Sequence, residues 1–176
     1  VINGGLHAWA NEGHPVTSEP TPPTQPGSFV IDSPHGDALA ERDYVLARVE
    51  DGGSQLFDSR TAEEYTGLKA MASRGGHIPG AINLNWTDTM DQNRNLRLRP
   101  TDELRRLLDD RGFSDDREVI TYCQTHHRSS HSYLMLRELG YERVRGYAGA
   151  WAEWGNDTGL PIATGAEPGA LVGGGQ

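Results

Sequence analysis

One cysteine, Cys123, stands in a chain of 176 residues, so no disulfide can close within it and structural stapling is excluded. Lysine is equally scarce: Lys69 is the only one beside 15 arginines, and the arginines are scattered. With a formal charge of −9 and no concentrated basic patch, neither nucleic acid nor an acidic membrane surface is expected as a partner. No apolar run approaches the roughly 18 residues that span a bilayer, and Val1 is not followed by a basic-then-apolar leader. The chain therefore reads as soluble. Without disulfides, the cytoplasm is its expected compartment.

At 35% hydrophobic residues the chain can bury the core of one ordinary domain, with residues left over for attachments. Val1 to Trp9 align without a gap on Arg143 to Trp151 and share Gly4/Gly146, Ala8/Ala150 and Trp9/Trp151. Residues 1–16 accordingly read as the end of a preceding, related domain. Six of the ten prolines fall between residues 15 and 34, which makes 17–35 an extended linker. Residues 36–162 hold the patterned sequence. The stretch 163–176, "ATGAEPGALVGGGQ", is small and glycine-rich and reads as a disordered tail.

Within 36–162, helical and strand patterns alternate. "ERDYVLARVED" has helical apolar spacing, "SQLFDSR" reads as a strand, and "TAEEY" opens a helix with a capping box from Thr61 to Glu64. "HIPGAINL" turns at Pro79-Gly80 into a strand. "TDELRRLLDDRG" is an amphipathic helix stopped by Gly112, "REVITYC" a strand, "SSHSYLMLRELG" a helix stopped by Gly140, and "RVRGY" a last short strand. Such alternation implies an α/β fold, a doubly wound and mostly parallel sheet with helices on both faces, whose ligands gather beyond the carboxyl ends of the strands.

Cys123 falls at one of those ends. The segment Cys123–Arg128 must turn from strand into helix, with Ser129 or Ser130 as the expected N-cap, so that unpaired backbone N–H groups converge near the sulfur. A helix start and a nearby arginine both favour the thiolate, the nucleophilic form. An inert cysteine packed as a small hydrophobe is the bland alternative. The polar residues and arginine that follow Cys123 argue against its burial.

Four motifs in order carry a resemblance: Asp58-Ser59-Arg60 with Glu64 and Gly67, "GGHIPGAIN", "YCQTHHRS" and "GYAGAWAEW". Together they resemble the rhodanese family of thiosulfate sulfurtransferases, from about Asp32 to Pro161. The opening "GGLHAW" is similar to the end of the first domain in two-domain members. The resemblance implies that Cys123 takes the sulfane sulfur of thiosulfate as a persulfide and passes it to cyanide or a thiol, a protein sulfur acceptor being a further option. It also implies that Arg128 binds the sulfonate and that Gln124, Thr125, His126 and His127 line the loop around the donor; Trp86, after the strand that follows "HIPGA", is placed either to wall the pocket or to pack in the core. No cofactor and no metal are implied. Many members place two cations directly after the cysteine and another arginine on the helix after the Asp-x-Arg strand; here those places hold Gln124, Thr125 and the pair Glu63-Glu64. Arg128 would then carry the anion alone. The two loop histidines read as neutral near pH 7, and Asp58 and Arg60 read as an internal ion pair.

Rival readings remain at this point. Cys123, His127 and His131 are spaced by four, as metal ligands on one helix would be, but the strand that runs into Cys123 breaks that alignment. Cysteine phosphatases and arsenate reductases of this fold have a loop one residue longer. Members that prefer 3-mercaptopyruvate typically carry an uncharged, glycine-containing loop. Noncatalytic sulfur-carrier or binding modules have usually lost the cysteine that this chain keeps.

Overall fold

Neighbouring residues on a strand face opposite sides, so a sheet buried on both faces sends alternate side chains to two different cores. The computed structural model, which describes residues 1–20, 22, 25, 27–32 and 36–169, shows this division. Leu56 and Ile120 enter one core, while their neighbours Phe57 and Val119 enter the other. The strands are β1 (Leu39–Ala40), β2 (Ser54–Asp58), β3 (Ala81–Asn83), β4 (Met90–Asp91), β5 (Arg97–Leu98), β6 (Glu118–Tyr122) and β7 (Val144–Tyr147). Five of them form a sheet in the order β1-β7-β6-β2-β3, with every pairing parallel. β4 and β5 make a separate antiparallel hairpin.

The helices are α1 (Gly5–Asn11), α2 (Arg42–Asp51), α3 (Ala62–Thr66), α4 (Thr101–Asp110), α5 (His127–Glu138) and α6 (Ala150–Trp154). Val45 of α2, Tyr65 of α3 and Trp151 and Trp154 of α6 fill the first core. Leu104 and Leu108 of α4, one turn apart, fill the second with Met135 and Leu136 of α5. Each such side chain contributes roughly 1.5–3 kcal/mol through removal from water. The α/β, doubly wound architecture expected from the pattern is the one observed.

Two expected boundaries look different in the structure. The tail 163–176 is not loose where it is described. Ala163 pairs with His77 through two backbone hydrogen bonds of 2.9 Å, Gly165 N donates to Thr66 O, and Gly80 N donates to Pro168 O at 2.8 Å. A small-residue stretch that buries no side chain is fixed here through its backbone instead. Residues 170–176 lie outside the described residues, as do seven positions of the linker 17–35. In the N-terminal segment, α1 rests on the hairpin: Asn3 Oδ1 accepts from Leu98 N at 2.8 Å, Glu12 pairs with Arg97, and Asn11 Nδ2 donates to Asn95 Oδ1 at 3.2 Å. Ile2 and Leu6 remain exposed. Among the described residues no helix is long and apolar enough to cross a membrane.

Candidate active site

β6 ends at Tyr122 and α5 starts at His127, so Cys123 to His126 make the whole turn between them. The turn stands beside the carboxyl end of β2, where the chain reverses its direction across the sheet: β2 leads outward to β3, and β6 leads the other way to β7. A crevice opens at such a switch point. Cys123 lies off the helix, which separates it from the alignment of His127 and His131 along α5.

His126 makes the turn tight. Its φ of 64° lies in the left-handed region, uncommon for a residue with a Cβ. Two contacts hold it there. Its Nδ1 lies 2.7 Å from Ser129 Oγ, and its ring lies over Gly146 of β7, where an added Cβ would overlap His126 Nε2. Burial, with a smaller contribution from nearby His127, pushes His126 below the ordinary histidine range, so the ring is neutral at pH 7. Ser129 is therefore not the N-cap. The left-handed residue ends the loop earlier, α5 begins at His127, and Ser129 grips the His126 ring from inside the helix.

Gly146→Ala should evict that ring. We expect a stability loss of about 1–2 kcal/mol, from overpacking and the broken hydrogen bond, but a fall in any turnover at Cys123 of roughly tenfold or more, since small misplacements of reacting groups are costly. Melting temperature and turnover measured on the same preparation check this, and a parallel small change in both would show the ring to be irrelevant to the loop.

The loop's carbonyls are turned outward. Trp151 N donates to Cys123 O at 3.0 Å and Ala152 N to Gln124 O at 2.9 Å, so the first turn of α6 pins two successive peptides. In a trans peptide the N–H opposes the C=O, so the amides of Gln124 and Thr125 point away from α6 and into the loop. From Gln124 to Ser129 no backbone amide has a hydrogen-bond partner among the described residues; Ser130 N is the first to bond back, to His126 O at 3.0 Å. A ring of unpaired donors suits an anion or a thiolate.

Cys123 itself is only 1% exposed, which corrects the expectation drawn from its polar neighbours. The reason lies in the turn: the loop folds over its own first residue, and the sulfur ends at its floor. Arg128 follows the same turn, and its guanidinium is held charged first by Glu64 and to a smaller degree by the nearby Cys123 sulfur. Arg128 is not alone, however. Its Nη1 donates to Glu64 Oε2 at 2.7 Å and its Nη2 to Glu64 Oε1 at 2.9 Å, a bidentate fork across 64 positions of sequence. The same Glu64 closes the capping box of α3 with Thr61. Burial works to raise the Glu64 pKa, but the hydrogen bonds and charge of Arg128, with help from the Thr61 backbone and Arg60, outweigh it and hold the carboxyl at about 2.

A carboxyl held below its ordinary 4.5 in the folded state contributes stability that is complete above that value and is lost as the pH falls to about 2. The unfolding free energy is expected to decline across that window, with a share on the order of 2 kcal/mol due to Glu64. Urea titrations at successive pH values should show a shallower decline for Glu64→Gln; an identical slope would remove the fork from the stability account.

The other expected site residues separate. Gln124 Nε2 is committed to Met71 O at 2.9 Å, which leaves its buried Oε1 without a partner among the described residues. Thr125 and His127 are exposed on the crown of the loop. Trp86 stands edge-on to His131, ring centroids 5.6 Å apart, and lines a groove of about 810 Å³ with Met90, Leu98 and Leu134. None of Cys123 to Arg128 lines that groove. Asp58 and Arg60 form the expected internal pair, both side chains fully buried. Arg60 Nε donates to Asp58 Oδ1 at 2.9 Å, its Nη2 to Gly76 O at 2.8 Å, and its guanidinium lies 4.6 Å from the centre of the Trp151 ring. Glu64 and Gly146 stand out in the sequence as a helix cap and a repeated glycine, but their places beside Arg128 and under the His126 ring are not visible in local patterns.

Comparison with known proteins agrees with this geometry. A model of the rhodanese-like domain matches residues 41–157. A thiosulfate sulfurtransferase of Azotobacter vinelandii is 47% identical over 161 residues, covering 92% of this chain and 58% of the relative. One from Pseudomonas aeruginosa is 43% identical with the same coverage, and the sulfur carrier protein TtuD of Thermus thermophilus is 38% identical over 95% of this chain and 62% of the relative. The chain thus spans about three-fifths of the length of these relatives. Among solved structures, the anaerobic ergothioneine biosynthesis enzyme from Chlorobium limicola, in complex with trimethyl histidine, superposes with a TM-score of 0.84 at 25% identity over 95% of this chain and 41% of its own. A substituted EanB holding a cysteine persulfide in a tetrahedral intermediate state with ergothioneine matches equally well, over 42% of its own chain.

Proposed function

The chain belongs to the rhodanese-like domain family, and from that footing we propose that it is a thiosulfate sulfurtransferase working through a Cys123 persulfide. The Cys123 thiolate attacks the outer sulfur of thiosulfate, a new S–S bond forms, and the old one breaks with its electron pair leaving on sulfite. Cyanide or a thiolate then attacks the terminal sulfur of the persulfide, forming thiocyanate or a new persulfide and returning the thiolate. The unpaired amides of the loop stabilise the anionic sulfur at each stage, and Arg128 receives the charge of the departing sulfite. The observation that carries this reading is the ring of free amides from Gln124 to Ser129 closing over one buried sulfur.

Gln124 and Thr125 contribute chiefly through their backbones, as do His126 and His127. Trp86 serves the groove beside α5. Residues 1–16 are read as the end of a preceding related unit, 36–162 as the catalytic domain, and the reducing cytoplasm as the compartment that suits a free thiol nucleophile. Curated relatives named for thiosulfate sulfurtransfer support the donor, and the relative named as a sulfur carrier protein supports a protein thiol among the acceptors. Intact mass after brief exposure to thiosulfate tests the proposal. One sulfur should be gained and then removed by cyanide with release of thiocyanate; no gain would refute it.

A further inference from the structure

We propose that Glu64 is a positioning residue which, through Arg128, sets how tightly the site holds highly charged sulfur donors and releases sulfite; the inference rests on the sulfur-transfer reading. The Glu64 side chain is 3% exposed and that of Arg128 25%, so the carboxylate forms the fixed floor of the pair and the guanidinium its open edge. Glu64 is anchored twice: the Arg128 fork engages both carboxylate oxygens, and Oε2 also accepts from Thr61 N at 3.3 Å, while Glu64 N donates to Thr61 Oγ1 at 3.4 Å. The fork thus rests on a capped helix start, which denies the arginine its usual freedom. Arg128 Nε and the outer Nη hydrogens remain for the sulfur and the donor.

Charge follows from the same contact. The pair is ionised and its net charge is zero, so a dianion arriving at Cys123 meets an oriented dipole and not a bare cation. Orientation favours the transition state, because the guanidinium is already aimed where sulfite departs. Neutralisation weakens ground-state binding of thiosulfate and of the sulfite product alike, which keeps the site from being blocked by its own leaving group.

Glu64→Gln isolates the charge, because glutamine also completes a capping box and the start of α3 survives. The expected result is a KM for thiosulfate lowered about fivefold and sulfite inhibition strengthened by a similar factor, with kcat reduced. A monoanionic arylthiosulfonate donor should shift less. In an Arg128→Ala background the Glu64 substitution should leave the donor preference unchanged. Glu64→Asp, which keeps the charge but cannot span the fork, should lower kcat with KM near the parent value, and it supplies the test should the glutamine variant fold poorly. Equal KM shifts for dianionic and monoanionic donors, or the same shift without Arg128, would overturn the inference. The parent chain is run in parallel. If it takes up no sulfur from thiosulfate, the underlying reading falls and this one with it; if it turns over normally while Glu64→Gln matches it, only the role of Glu64 is refuted.

Discussion

Cys123→Ala is expected to lower thiocyanate formation from thiosulfate and cyanide by at least about a thousandfold, to the uncatalysed level. No other side chain can replace the nucleophile. The remaining sulfurs are the thioethers of the three methionines, Met71, Met90 and Met135, which do not ionise. The substitution should leave the fold in place. It removes one small atom at the floor of the loop, and its stability cost should stay near 1 kcal/mol, the usual scale for a point change. Intact mass and turnover on the same sample give the reading: no added sulfur and no thiocyanate, with an unchanged circular dichroism spectrum. Residual turnover near the parent rate would mean that a different group carries the sulfur.

The second large effect belongs to Arg128. Arg128→Ala should cost on the order of 1.5–3 kcal/mol of transition-state binding, roughly a ten- to 150-fold loss in kcat/KM for thiosulfate. It should also destabilise the chain, because Glu64 is left buried without its cation; broken buried pairs cost roughly 3–5 kcal/mol, and the partial exposure of Arg128 argues for the lower end. Combining Arg128→Ala with Glu64→Gln restores much of that stability but not the activity, which separates the two contributions. Arg128→Lys should behave more like alanine than like arginine, since an ammonium cannot form the fork. Thiosulfate should remain the better donor than 3-mercaptopyruvate in the parent chain. A loss confined to mercaptopyruvate would reverse the assignment of the donor.

Much of this molecule can be read from local spacing. The strand that delivers Cys123, the capping box of Thr61 and Glu64 and the alternation that makes a parallel sheet are all short-range patterns, and the structure has each of them. What local spacing cannot show is pairing at a distance. Glu64 carries two roles, and its sequence context displays only the cap; the fork to Arg128 exists because β2 and β6 lie side by side and bring their following segments together. The burial of Cys123 was hidden for a related reason. Polar neighbours in a turn indicate solvent only when the turn projects outward, and this one folds back over its first residue. The start of α5 moved because a left-handed histidine is stable only where Gly146, 20 residues later, leaves room for its ring. β1 and the β4–β5 hairpin, with strands of two residues each, are too short for any period to show.

Arg60 has a consequence for time as well as for shape. Its guanidinium ties the end of β2 to the Gly76 carbonyl and to the Trp151 ring of α6, and α6 in turn pins the Cys123 and Gln124 carbonyls. Segments far apart in the chain therefore share one buried ion, and none can loosen without stranding a charge away from water. The floor beneath the sulfur is therefore expected to open with the domain as a whole and not by local breathing, so the amides of β6 should exchange with solvent at the rate of global unfolding. For the covalent intermediate proposed above this implies persistence: with Cys123 1% exposed and Arg128 the more open group of its pair, a sulfur atom held there should be lost to acceptors that fit the site faster than to solvent admitted by chance loosening of the protein around it.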